Sequence, residues 1–115
     1  KIDMAVTVKN IIPAKEAESS QTTQYTATNC RCIIDKFTAT NTSAGSQSLS
    51  VNLVAASGTA GNDNLIVDAR MLAAGETYTF PELVGQVLDT SSFISTIASA
   101  ATSLTIRASG REIIA

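Results

Sequence analysis

Apolar and polar residues alternate with a period of two in several separate stretches of the chain. In Ser48–Leu53, residues Leu49, Val51 and Leu53 share one side, and Ser48, Ser50 and Asn52 the other. The same rule places Leu104, Ile106 and Ala108 on one face, pairs Tyr78 with Phe80, and sets Met4, Val6 and Val8 against Ala5, Thr7 and Lys9. Successive side chains of a strand point to opposite faces, so this period predicts half-buried β-strands.

Turn-forming clusters punctuate the runs: 41–45 around Asn41 and Gly45, 57–64 ending in Gly61-Asn62-Asp63-Asn64, then Ala74-Gly75 and Ser109-Gly110. The strands predicted between them are 2–9, 22–28, 31–40, 47–55, 65–71, 76–80, 92–98, 103–109 and 112–114. Short, evenly punctuated strands predict an all-β fold, an antiparallel β-sandwich of jelly-roll or immunoglobulin-like topology, with about eight strands and an N-terminal arm. Residues 1–20 are expected to form the first strand and an arm or loop, and 21–115 the sandwich, as one domain overall.

Two segments depart from the alternation. Asn10–Ser20 holds Pro13 and most of the local charge, which predicts a loop or arm. Its adjacent Ile11 and Ile12 either tuck beneath the sandwich or reach over a neighbouring subunit. In Pro81–Leu88, a proline followed by Glu82 and by Leu83, Val84, Val87 and Leu88 at helical spacing predicts a single helical turn or an irregular crossover between sheets. Gly85 weakens a helix there by about 1 kcal/mol.

Composition narrows the functional classes. The 115 residues are 44% apolar and 16% charged, with net charge −2. That balance suits a single packed core. Ser and Thr supply roughly a quarter of the residues, which favours strands and turns over helices. There is no basic stripe, and only five residues are aromatic, so nucleic-acid binding is not expected. The apolar runs are too short to span a bilayer as helices. A start at Lys1 with no signal-peptide pattern is read as a processed chain.

Candidate chemistry is sparse. No His is present, which removes Ser-His and Cys-His nucleophile pairs. The ten carboxylates follow no hydrolase spacing, and no phosphate-binding, dinucleotide or zinc motif occurs. The chain is therefore expected to be no enzyme and to need no cofactor or metal. Cys30 and Cys32 would share one strand face, too far apart for an unstrained disulfide, and are read as reduced and packed. Gly61-Asn62-Asp63-Asn64 with Asp68 lacks the ligand order of a calcium loop and reads as a turn. Asn41-Thr42-Ser43 matches a glycosylation sequon, but falls in a predicted hairpin loop and is read as incidental.

From Asp35 onward the chain resembles small β-sandwich virion proteins of tailed bacteriophages. The resemblance is carried by Phe37–Ser43 with Leu49–Val54 (an asymmetric hairpin), by Leu72-Ala73-Ala74-Gly75-Glu76-Thr77-Tyr78, by Ile97–Ala101, and by the closing Ala108-Ser109-Gly110-Arg111-Glu112-Ile113. It covers about 80 residues in short pieces and matches the first 30 less clearly. What it implies is a non-catalytic virion component that cements or decorates the capsid, or sits at the neck or tail. The implied partners are the major capsid protein or another virion protein and the chain's own copies, as a dimer or trimer, assembled in the host bacterial cytoplasm. Neither nucleic acid nor membrane is an expected partner. Ile2, Met4, Ile11, Ile12, Arg31 and Arg111 are the candidate interface residues. A carbohydrate-binding, adhesin-like sandwich is the alternative, and it would need exposed aromatics among Tyr25, Phe37, Tyr78, Phe80 and Phe93.

Overall fold

The structure, a computed structural model, describes residues 5–114. Those residues contain nine strands and no helix: β1 (Ala5–Glu16), β2 (Thr22–Thr26), β3 (Arg31–Asn41), β4 (Gln47–Val54), β5 (Leu65–Leu72), β6 (Thr77–Thr79), β7 (Val87–Leu88), β8 (Phe93–Ala98) and β9 (Leu104–Ile114). One sheet runs β1-β9-β3-β6, with β7 also on β3, and the other runs β2-β8-β4-β5. All pairings are antiparallel.

This order resolves the two topologies left open by the sequence. β6 and β7 lie along the same side of β3, at Thr38–Thr40 and at Cys32–Ile33, and act as one interrupted strand. Counted so, the first strand pairs with the last, the second with the next to last, the third with the interrupted strand, and β4 with β5. That nesting is a long hairpin rolled up around its β4–β5 turn, which is the jelly roll.

Alternation explains why these residues form these layers. On β3, Cys32, Ile34, Phe37 and Ala39 face inward, and on β9 Leu104, Ile106, Ala108 and Gly110 do. Leu49 and Val51 of β4 and Ile94 of β8 meet them from the other sheet, all fully buried. Each such side chain stabilises the fold by about 1.5–3 kcal/mol relative to exposure.

Four departures from the sequence reading have physical causes. First, residues 10–16 are strand rather than loop. β1 is an edge strand, so Pro13 costs no ladder bond to a second neighbour. Register shifts between Lys9 and Ile12 and between Ile12 and Lys15 insert extra residues into the strand. The first bulge turns both Ile11 and Ile12 into the core, 4% and 1% exposed. With its nitrogen turned inward, the Asn10 amide donates across this bulge to the carbonyls of Ile12 and Ala108, at 3.0 and 3.1 Å.

Second, Pro81–Gln86 is neither a helical turn nor a crossover between sheets. It is an excursion from the strand beside β3, closed by Gly85 N to Ile34 O at 2.7 Å and Ile34 N to Gln86 O at 3.0 Å. Gly85 takes φ +84°, and Leu83 tucks fully into the core. Third, Ser109-Gly110 is no turn, because β9 runs through it unbroken. A Cβ on Gly110 would sit 2.6 Å from the carbonyl oxygen of Ile33, so glycine is required by close approach. Fourth, β3 and β4 form no hairpin. They lie in different sheets, and residues 42–46 cross between them.

Candidate assembly surface

β1 begins and β9 finishes at one end of the sandwich, beside the β2–β3, β4–β5 and β7–β8 connections. On the inner side of this end, Tyr25 of β2 reaches across from the opposite sheet and donates its hydroxyl proton to Glu112 Oε2 on β9. Lys9 Nζ of β1 donates to the same oxygen at 3.3 Å. One carboxylate thus ties three strands from both sheets. The Tyr25 hydrogen bond holds the Glu112 carboxyl below its ordinary range; partial burial opposes this and the Lys9 ammonium assists it. Burial pushes the Tyr25 phenol well above its ordinary value, and the bond to Glu112 pushes the same way.

Cys30 and Cys32 are free and buried here, with Cys30 Sγ 3.9 Å from the Tyr25 hydroxyl. Burial pushes both thiols up. A nucleophilic cysteine needs the opposite shift, so this pair packs as thiols.

The outer side of the same end is apolar. The strand register sets Val8, Arg111, Ile33 and Val87 side by side across four strands, and Val6, Ile113 and Arg31 in the next row. Val6, Val8 and Val87 are 56%, 81% and 52% exposed, while Ile33 and Ile113 are half-buried. Arg111 grips Asp35 with two nitrogens, Nη2 to Oδ1 at 2.8 Å and Nε to Oδ2 at 3.0 Å, which neutralises the charge in the middle of the patch. Exposed apolar side chains gathered into one patch and rimmed by polar groups are a feature of protein-binding surfaces.

The free edge of β1 borders the patch. Residues 5–10 are exposed on both faces, so this half of the strand is held by the ladder to β9 and by the side-chain bonds of Lys9 and Asn10.

Elsewhere the polar clusters serve the fold. The Gly61–Asn64 turn lies against Asn52 of β4, whose amide donates to Asn64 Oδ1 at 2.7 Å and to Gly61 O at 3.0 Å. Gln21 completes this network through Asn52 Oδ1 and Ser95 Oγ. Asn64 Oδ1 also accepts from Gly61 N at 3.0 Å, and no group of three or more His, Cys, Asp or Glu placed to hold a metal occurs among the described residues. Two open depressions flank the loop, about 210 and 600 Å³ in volume. The Asn41 amide of the sequon is fully buried and donates to Gly45 O and Leu72 O at 2.8 and 3.0 Å, which leaves it inaccessible to a glycan.

The structure separates the residues singled out in the sequence. Arg31 and Arg111 lie in the outer patch. Ile11 and Ile12 face the core and leave no surface for a partner. Ile2 and Met4 lie outside the described residues. Ile33 and Val87 were missed as surface positions. Val87 reads as part of a helical pattern, and only the two-residue strand β7 turns it outward.

Among the aromatics, Phe37 packs edge-on against Phe80 with ring centroids 5.3 Å apart, and Phe80 against Tyr78 at 4.8 Å. The Arg70 guanidinium covers the Tyr78 ring, 3.9 Å from its centroid.

No family model matches the chain, and no curated protein sequence matches it. Solved structures do. A chain from the structure of the infectious bursal disease virus Gx strain aligns with TM-score 0.57 and 16% identity, over 98% of this chain and 33% of its own length. A chain of the T13 viral particle of the same virus gives 0.55 and 13%, over 96% and 31%. A chain of its VP2 subviral particle gives 0.50 and 15%, over 96% and 32%. The present chain spans about a third of the length of these solved chains. At such identities the likeness is one of fold: the jelly roll seen here also occurs within chains of an icosahedral virus.

Proposed function

We propose that the protein is a non-catalytic structural component of a virion, held in place through the end of the sandwich where β1 begins. The observation that carries this reading is that end itself. A strand exposed on both faces borders an apolar patch with a neutralised centre. Such a surface is worth little to a monomer and suits docking against a neighbour in an ordered array, where many weak contacts add. The fold shared with chains of viral particles supports the setting. The tailed-phage resemblance supplies the finer reading, a capsid cement or decoration protein that binds the major capsid protein and its own copies.

Sugar binding is less well supported. Phe37 and Phe80 are fully buried, Tyr25 is bound to Glu112 and Arg70 covers Tyr78, which leaves the half-buried Phe93 as a single ring and no aromatic platform. Catalysis finds no activated nucleophile in the thiols.

Protein identification and labelling on purified virions test the proposal. Stoichiometric copies on intact particles are expected; absence from particles rejects it. Occupancy on capsids against tails then separates cement from tail or neck component. Val8→Lys and Val87→Lys change exposed side chains only, and both are expected to lower occupancy without unfolding the chain.

A further inference from the structure

We infer that the free edge of β1, over residues Ala5–Lys9, pairs antiparallel with the same edge of a second copy about a two-fold axis at Thr7. The inference names a partner for the surface proposed above and rests on that reading for its setting. The pairing itself is a property of the purified chain.

The argument begins with what the other edges look like. A sheet edge is a row of unpaired backbone donors and acceptors, and folds that remain apart blunt such rows. Here β6 and β7 are three and two residues long. β2 is five residues with a register shift between Thr23 and Tyr25. β5 is broken by two register shifts and by Ala69, at φ +48°, and carries Asp68 and Arg70. The later half of β1 has bulges and Pro13. Of these devices residues 5–9 carry only one, the charge of Lys9 at their end. They hold five consecutive register pairs with β9 without a shift, and no proline or acidic residue.

The sequence of this stretch is also self-complementary. With the axis at Thr7, Val6 of each copy lies opposite Val8 of the other on the outer face, and Thr7 opposite Thr7. Cross-strand pairs of β-branched residues and Thr–Thr pairs are favourable. Lys9 falls opposite Ala5, so no like charges meet, and its ammonium is already held by Glu112 of its own chain. An isologous contact of this kind closes on itself as a dimer. It joins the two five-stranded sheets into one and brings the Val6–Val8–Ile113 surfaces of both copies side by side.

Sedimentation and light scattering of the purified chain over a dilution series read the pairing directly. A monomer–dimer equilibrium is expected, weakened about tenfold by Val8→Lys through loss of the two valine pairs. Thr7→Cys is the positional test. Directly opposed residues have Cα atoms within disulfide reach, so this variant should form a reducible dimer under mild oxidation. Val84→Cys, exposed but away from the edge, should not.

A chain that stays monomeric throughout, or crosslinks equally well at both positions, overturns the inference. A dimer untouched by Val8→Lys and uncrosslinked by Thr7→Cys overturns it too, because the contact then lies elsewhere. Circular dichroism confirms that each variant is folded, and the exposure of these positions makes that outcome independent of pairing. Virion occupancy is measured separately. A monomer found on particles rejects the edge pairing and leaves the virion role standing, whereas a dimer absent from particles does the reverse.

Discussion

Gly110→Ala adds one methyl group to the middle of β9 and tests how tightly the two long strands are fitted. The added carbon would lie 2.6 Å from the carbonyl oxygen of Ile33 and 3.3 Å from both Cys32 Sγ and Ile11 Cδ1. The sulfur and the isoleucine tip can give way slightly. The carbonyl cannot without disturbing the β3–β9 ladder, where Ile34 faces Gly110.

Overpacking of this kind costs about 1–3 kcal/mol. A weakened ladder bond adds about 1 kcal/mol. Loss of glycine's freedom in the unfolded chain returns about 0.4–1 kcal/mol. The net expectation is destabilisation by about 2 kcal/mol, or a fall in Tm of roughly 8 °C for a domain of this size. Urea unfolding should show a lower midpoint at unchanged slope. Gly45→Ala is the matched control, because its Cβ would meet nothing within 4 Å, and it should be neutral or slightly stabilising. If Gly110→Ala stayed within about 0.5 kcal/mol of the parent, the close-approach reasoning would be refuted.

Four further outcomes follow from the same end of the molecule and its loops. The Glu112 carboxyl is held below its unfolded value of 4.5, so its contribution to stability is present above that pH and is lost as pH falls through the lowered folded value. Tyr25→Phe removes the main cause and should flatten the acid limb of a stability–pH curve; an unchanged limb would disprove the link. The raised Tyr25 phenol has the opposite sign, with stability complete below its unfolded value of 10.0 and lost as pH rises beyond it. Asn52→Ala strips the loop 55–64 of two hydrogen bonds and should cost about 1–3 kcal/mol, with faster proteolysis inside that loop as the readout. Cys30 and Cys32 should resist a thiol reagent in the native state and react together on unfolding, so rapid native labelling would contradict their burial.

Much of the fold was legible because alternation reports burial directly. Leu49 and Val51, Leu104 and Ile106, and Tyr78 with Phe80 announced their strands, and each strand lies where its pattern put it. The errors came from residues with more than one physical use. Pro13 reads as a breaker, yet an edge strand tolerates it. Gly110 reads as a turn, yet a carbonyl pressing on its α-carbon requires it. Val84 and Val87 suggest a helix face, although the chain merely leaves and rejoins one side of β3. The candidate surface was harder to see. It depends on which strands lie side by side, and a local pattern carries no information on the neighbour of β9. Arg31 and Arg111 stand out by residue type alone, while the places of Ile33 and Val87 beside them needed the register.

The nested pairing also dictates an order of events during synthesis. β9 lies between β1 and β3, and β8 between β2 and β4, so β1 and β2 must each wait for a late strand. Only β4 and β5 follow each other directly in the chain and pair. That hairpin can form while the ribosome is still working, whereas the five-stranded sheet has no centre until β9 has been made. Folds dominated by such distant partners take milliseconds to seconds to form. Until β9 has been made, the growing chain, extended by roughly 5–20 residues per second, therefore carries open strand edges. β9 is the keystone: its arrival closes the sheet, and from then on β1 has one edge paired and one open.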